Sequence, residues 1–202
     1  LYALLADKNF FDKKVLRSAS KFNSILGGHP EYGKVPGVEA STGALGHGPA
    51  IGVGMAISAK LNKLNYKTFT IVGDGEINEG SFWESSMIAS KHKLKNFHII
   101  VDYNKIQSYG KIKEILDLEP LRLKLESFGY KVSEVNGHNV NLLKKYFTKI
   151  KKNKDKPTAL ICHTIKGKGF PFAENNPYWH HKNSFTEKEV KEINKCLGKN
   201  NL

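Results

Sequence analysis

The sequence predicts an α/β protein: a doubly wound, mostly parallel sheet with helices on both faces. Two patterns in the 202 residues predict it. Apolar runs recur at 68–72 (TFTIV), 97–102 (FHIIVD), 130–135 (YKVSEV) and 157–164 (PTALICHT). Most are continuous rather than alternating, as expected of parallel strands covered on both faces. Segments of helical character occupy about 49–64, 80–93, 119–128 and 139–152, and strand followed by helix, repeated along the chain, builds βαβ units.

Each element has a local reason. The run at 68–72 is rich in β-branched residues and stops at Gly73-Asp74-Gly75. In the helix that follows, Trp83 and Met87 stand four residues apart on one face, which predicts core positions. The segment NLLKKYFTKIKKNKDK (141–156) reads as an amphipathic helix with a solvated lysine face. Cys162 lies inside the last apolar run and reads as a buried, inert thiol.

No internal repeat or low-complexity tract breaks this rhythm, so residues 1–202 read as a single domain, with 165–202 a loop and helix extension of it. Residue 1 is Leu, and LYALLADKNFF is an amphipathic fragment rather than a signal peptide. The expectation is a chain that begins inside a longer polypeptide. No apolar run reaches the ~20 residues of a membrane span. Two cysteines without metal-ligand spacing point to a reducing, cytoplasmic setting.

A net charge of +13 raises the possibility of nucleic-acid binding. The basic residues are almost all Lys, however, with Arg only at 17 and 122, and they are spread along the chain. Bidentate readers of bases and phosphates are usually Arg, so nucleic acid is not the expected partner.

Two loops stand out: GGHPEYGKVPGVEASTGALGHG (27–48) and IKGKGFPFAENNPYWHHKNSF (165–185), both rich in Gly and Pro and both carrying two histidines. Long irregular loops in a compact domain usually serve a site, and doubly wound sheets bind ligands at the carboxyl ends of their strands. Asp74 stands at such an end, between glycines that permit close approach to the main chain. Asn104 stands at the end of the next strand, 30 residues on (104 − 74). A βαβ unit brings those two ends together. Hard oxygens from one Asp and one Asn suit Mg²⁺ or Ca²⁺, but are too few for an all-protein cage, so the expectation is a metal–phosphate complex. The helix opening near Gly80 is expected to aim its amides at the same place. Glu76 reads as an exposed loop acid more readily than as a catalytic one.

GDGEINEG…WE…A…KL.N…IVDYNKIQ resembles the thiamine-diphosphate motif, which opens with GDG and ends with Asn about thirty residues later. With the 27–48 segment before it and DKPTALICHTIKGKG after it, nearly the whole chain resembles the transketolase family. The likeness is to the N-terminal, diphosphate-binding subunit of split transketolases. The resemblance implies that Asp74 and Asn104 ligate the metal through side chains and Ile106 through its carbonyl. Gly73, Gly75 and Glu76 fall in the diphosphate-binding turn, with Gly75 packed on the diphosphate. Gly43, Leu45, Gly46 and His47 fall along the thiamine, Leu45 against its aminopyrimidine; His47 replaces a Gln of longer members. Glu79 implies a hydrogen bond to the activating glutamate of a partner domain. His29 and His180 imply contacts to substrate and intermediate; His181 competes with His180, because the family carries Gly there.

The resemblance also implies what lies elsewhere. The activating glutamate and the sugar-phosphate-binding arginines belong largely to regions outside this one, and a family histidine lies just upstream of LYALLA. The chain is therefore expected to be inactive alone. It is expected to transfer two-carbon ketol units between sugar phosphates in a heterotetramer with a C-terminal, pyrimidine-binding subunit. Alternatives are a specialised biosynthetic transketolase, a silent scaffold, or a deoxyxylulose-phosphate-synthase-like or 2-oxo-acid dehydrogenase subunit.

Overall fold

The structure, a computed structural model, describes residues 1–108, 110–182 and 184–198. In chain order the helices and strands are α1 (Tyr2–Asp7), α2 (His47–Leu61), β1 (Thr68–Gly73), α3 (Gly80–Lys91), β2 (Phe97–Tyr103), β3 (Ile106–Gln107), β4 (Gly110–Lys111), α4 (Ile112–Ile115), α5 (Leu121–Ser127), β5 (Lys131–Asn136), α6 (Val140–Ile150), β6 (Thr158–His163) and α7 (Glu187–Cys196). Strands β1, β2, β6 and β5 lie in that order in one parallel sheet, and β3 with β4 forms a small antiparallel hairpin beside it. The four expected strands and four expected helices are present, with ends shifted by at most three residues.

Register assigns the two faces. Thr68, Thr70 and Val72 align with Phe97, Ile99 and Val101 of β2. Their face packs under α2 and α3 in the main core, with Phe82, Ala56, Leu121 and Leu125. Gly52 of α2 lies so close to it that a Cβ would stand 2.3 Å from the Thr70 hydroxyl. The opposite face presents Phe69, His98 and Thr158; α6 covers it, Phe147 meeting Phe69 edge-on and the Tyr146 hydroxyl donating to Thr158 at 3.1 Å. Helices therefore cover both faces. Side-chain caps help fix two of them: Asn139 accepts from the Leu142 amide at α6, and Thr186 and Glu189 form a capping box at α7.

Two expectations need correction, and one segment goes beyond them. β1 is the edge of the sheet, so Phe69 and Ile71 are 44% and 71% exposed rather than covered. Trp83 does pack on Phe82 and Phe128, but Met87, one turn later, is exposed. No periodicity announced the paired short strands β3 and β4 or the short helix α4 that follows them. Cys162 is buried, as its apolar surroundings require, and burial pushes its thiol up to about 11.

Candidate active site at the carboxyl ends of β1 and β2

Asp74 follows the last residue of β1 and is only 2% exposed. Its Oδ1 accepts from the Gly75 amide at 2.9 Å, and its Oδ2 accepts from the amide of Lys105. One carboxylate thus joins the ends of β1 and β2. Lys105 adopts a left-handed conformation (φ 68°) in presenting that amide. Burial pushes the Asp74 carboxyl up to about 6, against the two amide hydrogen bonds; Asp102 adds to the rise and Lys166 opposes it. Among the described residues its hydrogen bonds come from neutral backbone amides, and the Lys166 charge does not offset its burial, a setting a bound cation relieves.

Asn104 precedes the amide that binds Asp74, and its Oδ1 accepts from the amide of buried Ile106 at 3.0 Å. Across the turn, a Cβ on Gly75 would stand 3.0 Å from the Gln107 side chain. Among the described residues no three His, Cys, Asp or Glu side chains converge as a metal site. The donors here fit a divalent cation that brings phosphate oxygens of its own. A 3-10 turn, Glu76–Asn78, separates Gly75 from α3. The amides that bind Asp74 are accordingly those of Gly75 and Lys105, not the opening amides of α3.

The loop before α2 comes to the same place. Gly43 has φ +115°, and a Cβ there would stand 2.5 Å from the His29 ring, so the imidazole lies flat against the glycine backbone. Gly46 caps α2 at φ +77°, and a Cβ would meet Glu79 at 2.7 Å and the Ser81 hydroxyl at 2.3 Å. Leu45, half exposed, lines a groove of about 540 Å³ with Gly43, Ile51, Phe69, Ile71 and Glu76. His47 is exposed, and its Nδ1 lies 3.2 Å from the Leu45 carbonyl, within its own turn.

Glu76 is not the exposed loop acid its sequence suggested. It is half-buried; its Oε1 accepts from the Gly46 amide at 3.0 Å and its Oε2 from the Gly73 amide at 3.3 Å. His180, from the second long loop, reaches the hairpin: its Nε2 lies 3.0 Å from the Ser108 hydroxyl. Burial, then the charges of Lys166 and His181, hold its imidazole below the ordinary histidine range. His181 is exposed in a left-handed conformation, its ring edge-on to that of His180. Of the two, His180 makes the contact to the hairpin segment. Sequence reasoning missed Gln107, Ser108 and the Lys105 amide, and the only signal was adjacency to Asn104.

Residues 1–201 match the family described as transketolase, thiamine diphosphate binding domain. The chain belongs to the transketolase family. It is 43% identical over 181 residues to one of the named subunits of the apulose-4-phosphate transketolase of Phocaeicola vulgatus, covering 90% of this chain and 64% of that protein. It is 37% identical to the 6-deoxy-6-sulfo-D-fructose transketolase subunit SqwG of Clostridium sp. (strain MSTE9), over 86% of this chain and 63% of that one. The chain therefore spans just under two thirds of these relatives. The crystal structure of transketolase from Campylobacter jejuni superposes with a TM-score of 0.84 at 31% identity, covering 92% of this chain and 30% of that one. The family's thiamine-diphosphate-binding domain is thus the whole of the described fold.

Proposed function

We propose that this chain is the diphosphate-binding subunit of a split transketolase, moving a two-carbon ketol unit from a ketose phosphate to an aldose phosphate. The observation that carries the reading is the buried Asp74 carboxylate, bonded to the amide that follows Asn104 at the joined ends of β1 and β2. Two relatives are themselves named as single subunits of an apulose-4-phosphate transketolase, which supports a two-subunit enzyme.

Asp74 and Asn104 would hold Mg²⁺ through their side chains, with the Ile106 carbonyl beside them, and Gly75 would leave room for the diphosphate. Thiamine diphosphate, when bound, supplies the electron sink for breaking and remaking the carbon–carbon bond. Gly43 and Leu45 would wall the thiamine, and His47 would steady the turn beneath Leu45. Glu79, exposed at the start of α3, would meet the activating carboxyl group of the partner subunit. His29 and His180 would hold the sugar's hydroxyls; an imidazole kept neutral near pH 7, as His180 is, can take or give a proton at Nε2.

The complete enzyme would be a cytoplasmic heterotetramer with a C-terminal subunit supplying the pyrimidine-binding domain and activating glutamate. Among the described residues no helix is long and apolar enough to cross a membrane. The test is to purify the chain both with that subunit present and without it, then screen ketose phosphates against pyruvate as donors. Ketol transfer that needs both subunits, Mg²⁺ and thiamine diphosphate is expected. Turnover by the chain alone, or a preference for pyruvate, would sink the reading.

A further inference from the structure

We infer that Glu76 is a positioning residue, a latch that sets the distance between the thiamine-side loop and the metal-side turn without itself touching the cofactor. The inference rests on the proposed function for what the two segments bind; the latch itself is a matter of geometry. Its carboxylate accepts from two backbone amides in separate segments, Gly46 at 3.0 Å and Gly73 at 3.3 Å. Gly46 is the cap of α2 and closes the loop bearing Gly43 and Leu45. Gly73 ends β1 and immediately precedes Asp74.

Both amides suit such a carboxylate. Gly46, the N-cap of the 15-residue helix α2, has no side chain of its own with which to cap it. An anion at this position satisfies an orphan amide and lies at the positive end of the helix dipole. On its other side Gly46 is fixed sterically, because Glu79 and Ser81 fill the space a Cβ would need. The loop is held from two directions, one by packing and one by Glu76. Losing the carboxylate leaves the packing but frees the Gly46 amide, so Gly43 and Leu45 can drift relative to Asp74. A ligand anchored on Asp74 at one end and on Gly43 and Leu45 at the other reads that drift as lost affinity. A group that takes part in the chemistry would instead lower turnover at full occupancy.

Two variants test this in the assembled two-subunit enzyme. Glu76→Gln keeps one acceptor oxygen and faces one of the two amides with its NH₂ group; Glu76→Ala keeps none. The thiamine diphosphate concentration for half-saturation, at fixed Mg²⁺, is expected to rise about tenfold in the Gln variant and about a hundredfold in the Ala variant. Turnover at saturating cofactor should fall far less than that. Hydrogen exchange of the Gly46 and Gly73 amides, measured on the same assembly without cofactor, should quicken in the same order. Glu76→Ala with unchanged half-saturation would overturn the proposal, as would a fall in turnover with no change in half-saturation. Unquickened exchange in the Gln variant would overturn it even if the Ala variant failed to fold. Quickened exchange in an assembly that binds no thiamine diphosphate would uphold the latch while refuting the proposed function.

Discussion

Asp74 at one end of the sheet and His98 at the other are both buried, and burial moves their pKa values in opposite directions. At the carboxyl end Asp74 is pushed up to about 6; at the amino end His98, 1% exposed, is pushed down to about 4. In both cases burial disfavours the charged form. The neighbours differ. Asp74 is held by two backbone amides next to the Asn104 carboxamide, in a turn where three long segments meet. The Nδ1 of His98 lies 2.8 Å from the Thr158 hydroxyl, its ring rests on Phe69, and its Nε2 has no hydrogen-bond partner among the described residues. A displaced pKa therefore does not mark a site by itself. What distinguishes Asp74 is its place beside a second hard-oxygen side chain, Asn104, at the strand ends; His98 is a neutral core histidine.

The largest effect that separates the two ends is on ligand binding. Asp74→Ala in the assembled enzyme is expected to weaken thiamine diphosphate–Mg²⁺ binding on the order of a thousandfold, the scale of removing one partner from a buried charge pair. His98→Asn, which retains a group able to bond Thr158, should leave that affinity within about threefold while lowering the melting temperature. Calorimetric titration measures the first and thermal unfolding the second. A large loss of cofactor affinity in the His98 variant would erase the distinction.

The ligand-free chain provides the next comparison, through pH. The folded pKa of Asp74 is raised from 3.8 to about 6, so the folded state binds its proton more tightly. Its contribution to stability is fully present below pH 3.8 and is lost as pH rises through 6. His98 is lowered from 6.5 to about 4, so it contributes fully above pH 6.5 and loses that contribution as pH falls through 4. Each amounts to about 3 kcal/mol across its window, with opposite sign over nearly the same range. The wild-type chain should therefore hide both slopes. Relative to wild type, Asp74→Asn should make stability rise more steeply with pH between 4 and 6.5, and His98→Asn should make it fall. Urea unfolding at half-unit pH intervals reads the slopes. Parallel profiles for the two variants would show that neither group titrates as the structure requires.

The same contrast explains what could be read from the residues in order. Strands β2 and β6 were legible because buried parallel strands are continuous apolar runs, and Asp74 with Asn104 because polar residues stand where the runs of β1 and β2 stop. The pairing of the two ends then follows from βαβ connectivity. Exposure of Phe69 and Ile71 was not legible, because an edge strand and an interior strand can share one composition. Nor were Glu76 and Ser108. Each is polar in a loop, and each is defined by a partner dozens of residues away, Gly46 for one and His180 for the other. Met87 shows the converse: helical spacing placed it with Trp83, but the neighbours that cover Trp83 do not reach one turn further.

The smallest expected effect concerns Lys166, whose charge acts on both site groups. It lowers the pKa of Asp74 and, after burial, is the next cause holding down that of His180. Lys166→Gln removes a like charge from His180 and an opposite charge from Asp74. Both groups should therefore titrate higher, the imidazole moving back toward the ordinary range but not reaching it, since burial remains. At the amino end His98 should not move, because the charge that acts on it is Lys67. Imidazole proton shifts followed by NMR on the ligand-free chain compare the two histidines in one sample. His180 rising while His98 stays fixed supports the placement of Lys166 beside the strand ends. A His98 displacement of equal size would mean that the substitution loosens the sheet as a whole rather than altering a local field.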